Sequence, residues 1–415
     1  MSFVSAAPTL DNAPVEPKPR ISKRSYYGAH EFDQVFAVGD VHGDLSALIT
    51  CLTMPNEPLA RRVDRGVWEW VARPRTALVV LGDCVDRMRP GAPLSAGGHT
   101  PGEQPKEELN ILRLLNMLAK QAPKTDGAVI RLLGNHEFTQ LMKHDAYLTE
   151  WMEMFATPAA LREQGGVAGR VAYFRKDGLF NHLLRPGMAV VQIGGWAFLH
   201  GGLHIQQLEH VRQQKPGTKA FEYANWLAQT AVSRPDLNTD GVDIHKHPEY
   251  AMLMNNTYGM LWDRELGNFK REGRQSCPSY VHTLFDAFNQ HNWEMGIDRL
   301  EHCVVAHCVQ DMDTPGIGMQ HENIWRQYYD DNASVDIASG GLVYRKQISD
   351  RGMVMPSINA ECGGAIWRID VGMSRGMPIN GLATRPSMLR INMRDNTTSV
   401  IAAPTLLELD KKLLF

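Results

Sequence analysis

Cysteine is scarce and without pattern. The 415 residues include six (51, 84, 277, 303, 308 and 362), with no CxxC and no regular spacing. This argues against a disulfide scaffold or a thiolate zinc motif, and reduced thiols in a cytosol-like compartment are the simplest expectation. An excess of either charge is also missing. Lys and Arg number 43 against 46 Asp and Glu, a net charge of −3, so the chain has no basic footprint for nucleic acid and no polybasic membrane patch. No apolar run reaches bilayer length and no signal-peptide pattern follows Met1, so a cytoplasmic protein is expected. Internal repeats, heptads and calcium-binding loops are absent as well. What remains is an ordinary globular composition, 43% apolar and 21% charged, long enough for two domains or one large decorated one.

Residues 1–28 are rich in Pro, Ser, Ala and charge and lack periodicity, which predicts a flexible leader. From Asp33 the pattern changes. VFAV reads as a strand and DLSALITCL as a helix, TALVV as a second strand, KEELNILRLLNMLAKQ as a second helix, and AVIRLL as a third strand. This is the alternation of a parallel α/β arrangement. Segments 138–185 and 204–300 read as mainly helical. Between them, MAVVQIGGWAFLHGG reads as a hairpin turning at Gly194–Gly195. EHCVVAHCVQ restores the sheet, and 342–402 adds short strands, IWRIDVGM and SMLRINM the clearest.

Three strands end alike, in AVGDVHG (37–43), VLGDCVDR (80–87) and LLGNHE (132–137), and two later ones end in histidine, AFLHGG (197–202) and VVAHC (304–308). Asp40, His42, Asp83, Asn135, His200 and His307 are thus predicted at one sheet edge, where α/β sheets bind ligands. Carboxylate, imidazole and amide donors without thiolate suit Mn, Fe or Zn, and six are more than one tetrahedral ion needs. A two-metal hydrolytic centre is expected, with a bridging water made acidic enough to give hydroxide near neutral pH. His136 is the natural proton donor to a leaving alkoxide, Asp86 its partner holding it cationic, Arg87 a fork for phosphate oxygens, and Glu137 a support. Cys84 and Cys308, each directly after an expected ligand, read as small buried thiols rather than redox sensors.

GDVHG, GDCVDR and GNHE in that order, followed by HGG and a strand-end histidine, resemble the PPP-type, calcineurin-like metallophosphoesterases. MLWDRE, VVAHCVQ and IDVGMS resemble the Shewanella-like protein phosphatase branch more than the eukaryotic serine/threonine enzymes. The likeness covers about residues 33–375. It implies an αββα fold, a central β-sandwich flanked by helices, with 29–415 as one domain carrying helical insertions. It implies one metal on Asp40, His42 and a bridging Asp83, the other on Asp83, Asn135, His200 and His307. His136 with Asp86 would be the acid pair, and Arg87 with Arg264 would grip the phosphate. The implied activity is phosphoprotein dephosphorylation, on phosphotyrosine or on phosphoserine and phosphothreonine. A related branch cleaves dinucleoside polyphosphates, and a retired, non-catalytic scaffold is a third reading. The chain departs from the serine/threonine pattern at Leu133, where those enzymes carry a phosphate-binding Arg, at Met88 in place of Gly, and at Ala306–Cys308 in place of GHT.

Overall fold

The apolar runs that precede the glycine motifs lie side by side. In the computed structural model, which describes residues 24–64, 66–88, 106–142, 145–175, 177–233, 247–268, 279–292, 297–308, 347–348, 354–355, 358–374 and 386–403, β1 is Tyr26–Tyr27, β2 Gln34–Val38, β3 Ala60–Asp64, β4 Val67–Trp70, β5 Thr76–Val80 and β6 Ala128–Arg131. Strands β2, β5 and β6 pair in parallel, Val38 opposite Val80 and Val80 opposite Arg131. All five residues of β5 are buried, as a strand covered on both faces requires. The first connection carries α1 (Leu45–Leu52), where Ala47 N–H donates to the Asp44 side chain at 3.1 Å as an amino-terminal cap. The second carries α2 (Glu107–Gln121).

The expectation of one sheet edge is corrected here: the strands form two sheets. The second is built from β7 (Val190–Ile193), β8 (Trp196–Leu199), β9 (His302–Val305), then, after the two-residue strands β10 (Gln347–Ile348) and β11 (Val354–Met355), β12 (Asn359–Glu361) and β13 (Ile366–Arg368). Its order is β1-β7-β8-β9-β13-β12. With β14 (Ser387–Asn392) and β15 (Thr397–Ala402), the first sheet runs β15-β14-β2-β5-β6. Both contribute to one continuous apolar core reaching from Phe32 to Ala403, the central sandwich that the resemblance implies. The β7–β8 hairpin turns at Gly194, whose φ of +57° suits glycine.

Two expectations shift at their boundaries. Ser25 to Gly28, read as leader, belong to the fold, because β1 pairs with β7, Tyr26 opposite Gln192; residues 1–23 lie outside the described residues. A β3–β4 hairpin stands where the sequence reading places no strand; most of its residues are exposed, Val63 and Val67 among them. Residues 89–105, which follow the GDCVDR motif, lie outside the described residues, as does Cys277. Cys51, Cys84, Cys303 and Cys308 are buried thiols outside any disulfide. Cys362 is disulfide-bonded, which corrects the reading of all six as reduced thiols.

The first insertion is helical as expected: α3 (Asn135–Met142), α4 (Asp145–Phe155), α5 (Pro158–Gln164), α6 (Gly166–Phe174) and α7 (Leu179–Leu184). It has a small apolar core of its own, Leu148, Met152 and Ala156 against Leu161, Val167 and Val171. The second contains α8 (Ile205–Gln214), α9 (Ala220–Ser233) and a further helix at Ser279–His291. No helix among the described residues is long and apolar enough to cross a membrane.

Candidate active site

The glycines of the motifs let loops from neighbouring strands touch backbone to backbone. A Cβ on Gly82, where φ is +105°, would stand 2.4 Å from Gly134 N, and one on Gly134 would stand 2.0 Å from Asp83 Oδ1. Contacts that close leave room for hydrogen only. Glu137 then ties the two loops together, accepting from Gly134 N–H at 2.8 Å, Asp83 N–H at 3.0 Å, Cys84 N–H at 2.5 Å and Val85 N–H at 3.2 Å. Burial, followed by the charge of Asp83, pushes its carboxyl up to about 7 against these donors. On the other sheet, a Cβ on Gly202 would meet Asp263 Oδ1 at 2.2 Å, which seats the HGG turn on the WDR turn.

These loops bring both sheets' strand ends to one point. His42 Nε2 lies 3.6 Å from Asp40 Oδ2 and 3.7 Å from Asp83 Oδ2. His200 Nε2 lies 3.4 Å from Asp83 Oδ2 and 2.9 Å from Asn135 Oδ1. His307 joins from the end of β9, its backbone N–H 3.5 Å from Asp40 Oδ1 and its ring 5.0 Å from that of His200. His42 and His200 each turn Nδ1 to a backbone carbonyl, Val85 at 3.3 Å and Leu81 at 2.9 Å. A ring that donates Nδ1–H outward presents Nε2 inward as a lone pair, the arrangement that orients metal-ligating histidines.

The chemistry of this set fits divalent cations. Two overlapping groups, His42–Asp83–His136 and Asp83–His200–His307, each have their donor atoms within 4.8 Å of one another and share Asp83. His307 Nε2 is buried without a hydrogen-bond partner, which costs roughly 1–3 kcal/mol unless something coordinates it. Burial, then the neighbouring charges of Asp370 and Asp83, holds the Asp40 carboxyl well above the usual range. Burial works the same way on Asp83, but His200, His136 and His42 outweigh it and hold that carboxyl well below. The buried carboxylates of Asp40, Asp83 and Asp370, with the unmatched Nε2 of His307, form a donor set that a cation neutralises. Asp370, from IDVGMS, was assigned no role from sequence.

His136 stands beside this cluster, Nε2 3.8 Å from Asp83 Oδ2 and Nδ1 2.9 Å from Asp86 Oδ2. Its ring is boxed by His42, Trp151 and Phe155, with centroids 4.9–5.0 Å away. Asp86 also accepts from Trp151 Nε1 at 2.8 Å, Gln140 Nε2 at 2.7 Å and an Arg170 terminal nitrogen at 2.7 Å. Burial would raise this carboxyl, but His136, Arg170 and Trp151 outweigh it and hold it well below the usual range. None of Trp151, Gln140 and Arg170 is marked as functional by the sequence motifs.

Arg87 is corrected. Its guanidinium, expected to be a fork for phosphate oxygens, is buried and paired with Glu107 and with Asp44 at 3.6 Å. Arg264 is exposed at the rim, NH1 3.8 Å from Cys308 Sγ, close enough that its charge helps lower the basicity of His307. Leu133 is buried, its side chain packed beside Gly187. Cys84 and Cys308 are buried, and burial raises both thiols, Cys308 to about 11, which leaves them poor nucleophiles.

The family profile of the calcineurin-like phosphoesterases matches residues 34–274. The chain is 38% identical over 279 residues to an uncharacterized protein of Schizosaccharomyces pombe, covering 66% of this chain and 69% of that one. It is 24% identical over 213 residues to Shewanella-like protein phosphatase 2 of Arabidopsis thaliana, 43% of this chain and about half (48%) of the relative's length. Among solved structures, a cold-active protein tyrosine phosphatase has the same fold, with a TM-score of 0.50 at 16% identity, covering 91% of this chain and 80% of that one.

Proposed function

The chain belongs to the calcineurin-like phosphoesterases, hydrolases of phosphoesters, and on that premise we propose that it is a di-metal phosphoprotein phosphatase acting on phosphate monoesters. The observation that carries this reading is the convergence of Asp40, His42, Asp83, Asn135, His200 and His307 beside the His136–Asp86 pair. Members of the family generally use divalent metals. Here Asp40, His42 and Asp83 would hold one ion and Asp83, Asn135, His200 and His307 the other; Mn, Fe and Zn all suit these donors. When bound, such ions supply Lewis acidity, which acidifies water and neutralises phosphoryl oxygens.

The chain's own residues do the rest. A water oxygen forms the new bond to phosphorus as the bond to the ester oxygen breaks. The electron pair of that bond goes to the leaving oxygen, which takes a proton from His136 Nε2. The attacking water gives up a proton in return, so ester and water become alcohol and phosphate, with no phospho-enzyme. With Nδ1 bonded to Asp86, His136 presents Nε2 to the reacting side. Arg264, at the rim, is the cation placed to meet an anionic substrate.

Phosphotyrosine is the substrate class the rim favours. Tyr147, 42% exposed, stacks on Trp151 with centroids 6.0 Å apart, and Trp151 meets Phe155 at 4.5 Å and Trp262 at 6.3 Å. This chain of rings leads from solvent to His136 and supports an aromatic leaving group. The test is steady-state hydrolysis of phosphotyrosine and phosphothreonine peptides and of diadenosine tetraphosphate by metal-stripped protein resupplied with Mn. The phosphotyrosine peptide is expected to turn over fastest, with Asp83→Asn at least ~10³-fold slower. Turnover of the dinucleotide alone moves the function to nucleotide cleavage, and no turnover with metal bound leaves a scaffold.

A further inference from the structure

We propose that Arg170, on α6 of the first helical insertion, is a positioning residue for proton delivery by His136, acting through Asp86. The proposal rests on the phosphatase reading above. Asp86 uses its two oxygens for different tasks: Oδ2 accepts from His136 Nδ1 at 2.9 Å and Trp151 Nε1 at 2.8 Å, while Oδ1 accepts from Arg170 NH2 and Gln140 Nε2, both at 2.7 Å. A carboxylate held by one oxygen can swivel about its last torsion. Donors on Oδ1 set its plane, and therefore the direction in which Oδ2 meets the imidazole.

The contacts of Arg170 are aimed at this task. Its Nε donates to Gln140 Oε1 at 3.1 Å, which orients that amide so that its nitrogen faces Asp86. Arg170, Gln140 and Asp86 thus form a closed triangle of hydrogen bonds. On its other side Arg170 is held by Glu108, at 2.6 and 3.1 Å, and by Gln164 Oε1 at 2.8 Å. Glu108 Oε1 also accepts the backbone N–H of Asp86 at 2.8 Å, so one ion pair fixes both the main chain and the carboxylate of Asp86. Arg170 is fully buried. A buried cation needs anions, but core stability alone does not require that one of them be the partner of the proton donor. The insertion has a separate small apolar core, and it bears on this chemistry through Arg170, Trp151, Gln140 and Phe155.

In the step concerned, the P–O bond breaks, its electron pair stays on the leaving oxygen, and His136 Nε2 supplies the proton that neutralises it. A leaving group that is stable as an anion needs that proton little, and an alkoxide needs it badly. The experiment therefore compares p-nitrophenyl phosphate with a phosphothreonine peptide in Mn-loaded wild type, Arg170→Gln, Arg170→Lys and Trp151→Phe. Calorimetric titration with Mn alone checks that each variant keeps its ligand set.

The ratio of kcat on p-nitrophenyl phosphate to kcat on phosphothreonine is expected to rise at least ~20-fold in Arg170→Gln, within the range a general acid contributes. It should rise in Trp151→Phe as well and fall back in part in Arg170→Lys. Equal losses on both substrates, with Mn binding retained, would show a structural role only and overturn the proposal. Should Arg170→Gln fail to fold, Arg170→Met with Glu108→Gln removes both charges together, and the same ratio decides. A wild type inactive on both esters while binding Mn sinks the phosphatase reading itself and this proposal with it, an outcome distinct from equal losses in an active enzyme.

Discussion

Four side chains at the centre stand on residues with left-handed backbone: φ is +43° at His42, +45° at Asp83, +62° at Asp86 and +61° at His307. Each costs of order 1 kcal/mol relative to ordinary geometry; His42, Asp83 and His307 belong to the donor cluster, and Asp86 meets His136 and Arg170. Asp86 shows how such a residue is offset. Its folded carboxyl is held well below the usual range, so the stability it contributes is fully present above the unfolded value of about 3.9 and is lost as pH falls through the folded value. Asp86→Asn, which leaves Arg170 without this partner, is expected to cost about 3–5 kcal/mol at pH 7. Urea unfolding at pH 7, 4 and 3 should show the gap to wild type narrowing only below about pH 4. A gap that stays constant would refute this role for the Asp86 charge.

At the scale of elements, one helix side chain fastens the second sheet. Asn225 on α9 accepts from Ala189 N–H at 2.8 Å and Val190 N–H at 3.1 Å, and donates to Val190 O at 2.8 Å and Ser25 Oγ at 2.9 Å. Asn225→Leu leaves these buried groups without partners and is expected to cost about 2–4 kcal/mol, read as a drop in urea midpoint with unchanged slope; an unchanged midpoint would contradict it. The elements differ in how legible they are. GD, GD and GN after apolar runs can be read directly, because a buried strand needs continuous apolar residues and a backbone crossing needs glycine at 82 and 134. Which sheet β8 and β9 join is not readable, since sheet order leaves no period in the chain. Arg170, Gln140 and Trp151 were missed because a helix pattern marks which face is buried and not which buried side chain carries a polar contact. Arg87 has the right chemical type, but its partners Glu107 and Asp44 come from elsewhere in the fold.

For the molecule as a whole, the site lies between the two sheets and belongs to both. Removing metal leaves Asp40, Asp83 and Asp370 crowded together and His307 Nε2 unmatched. Metal-stripped protein should therefore melt lower than protein supplied with Mn. Binding at one site with ion at 100 times Kd stabilises by about 2.7 kcal/mol, and the difference should vanish in Asp83→Asn, which scanning calorimetry would show. Equal melting temperatures with and without Mn would contradict the assigned donor set.

Assembly from two sheets also governs when the protein can begin to work. Asp40 and His307 are separated by 267 positions, a stretch that takes a ribosome roughly 13–53 s at 5–20 residues per second. During that interval the nascent chain carries Asp40, His42, Asp83, Asn135 and His136 without the strand that supplies the last imidazole. A chain cut short before β9 lacks His307 and is therefore expected to be inactive.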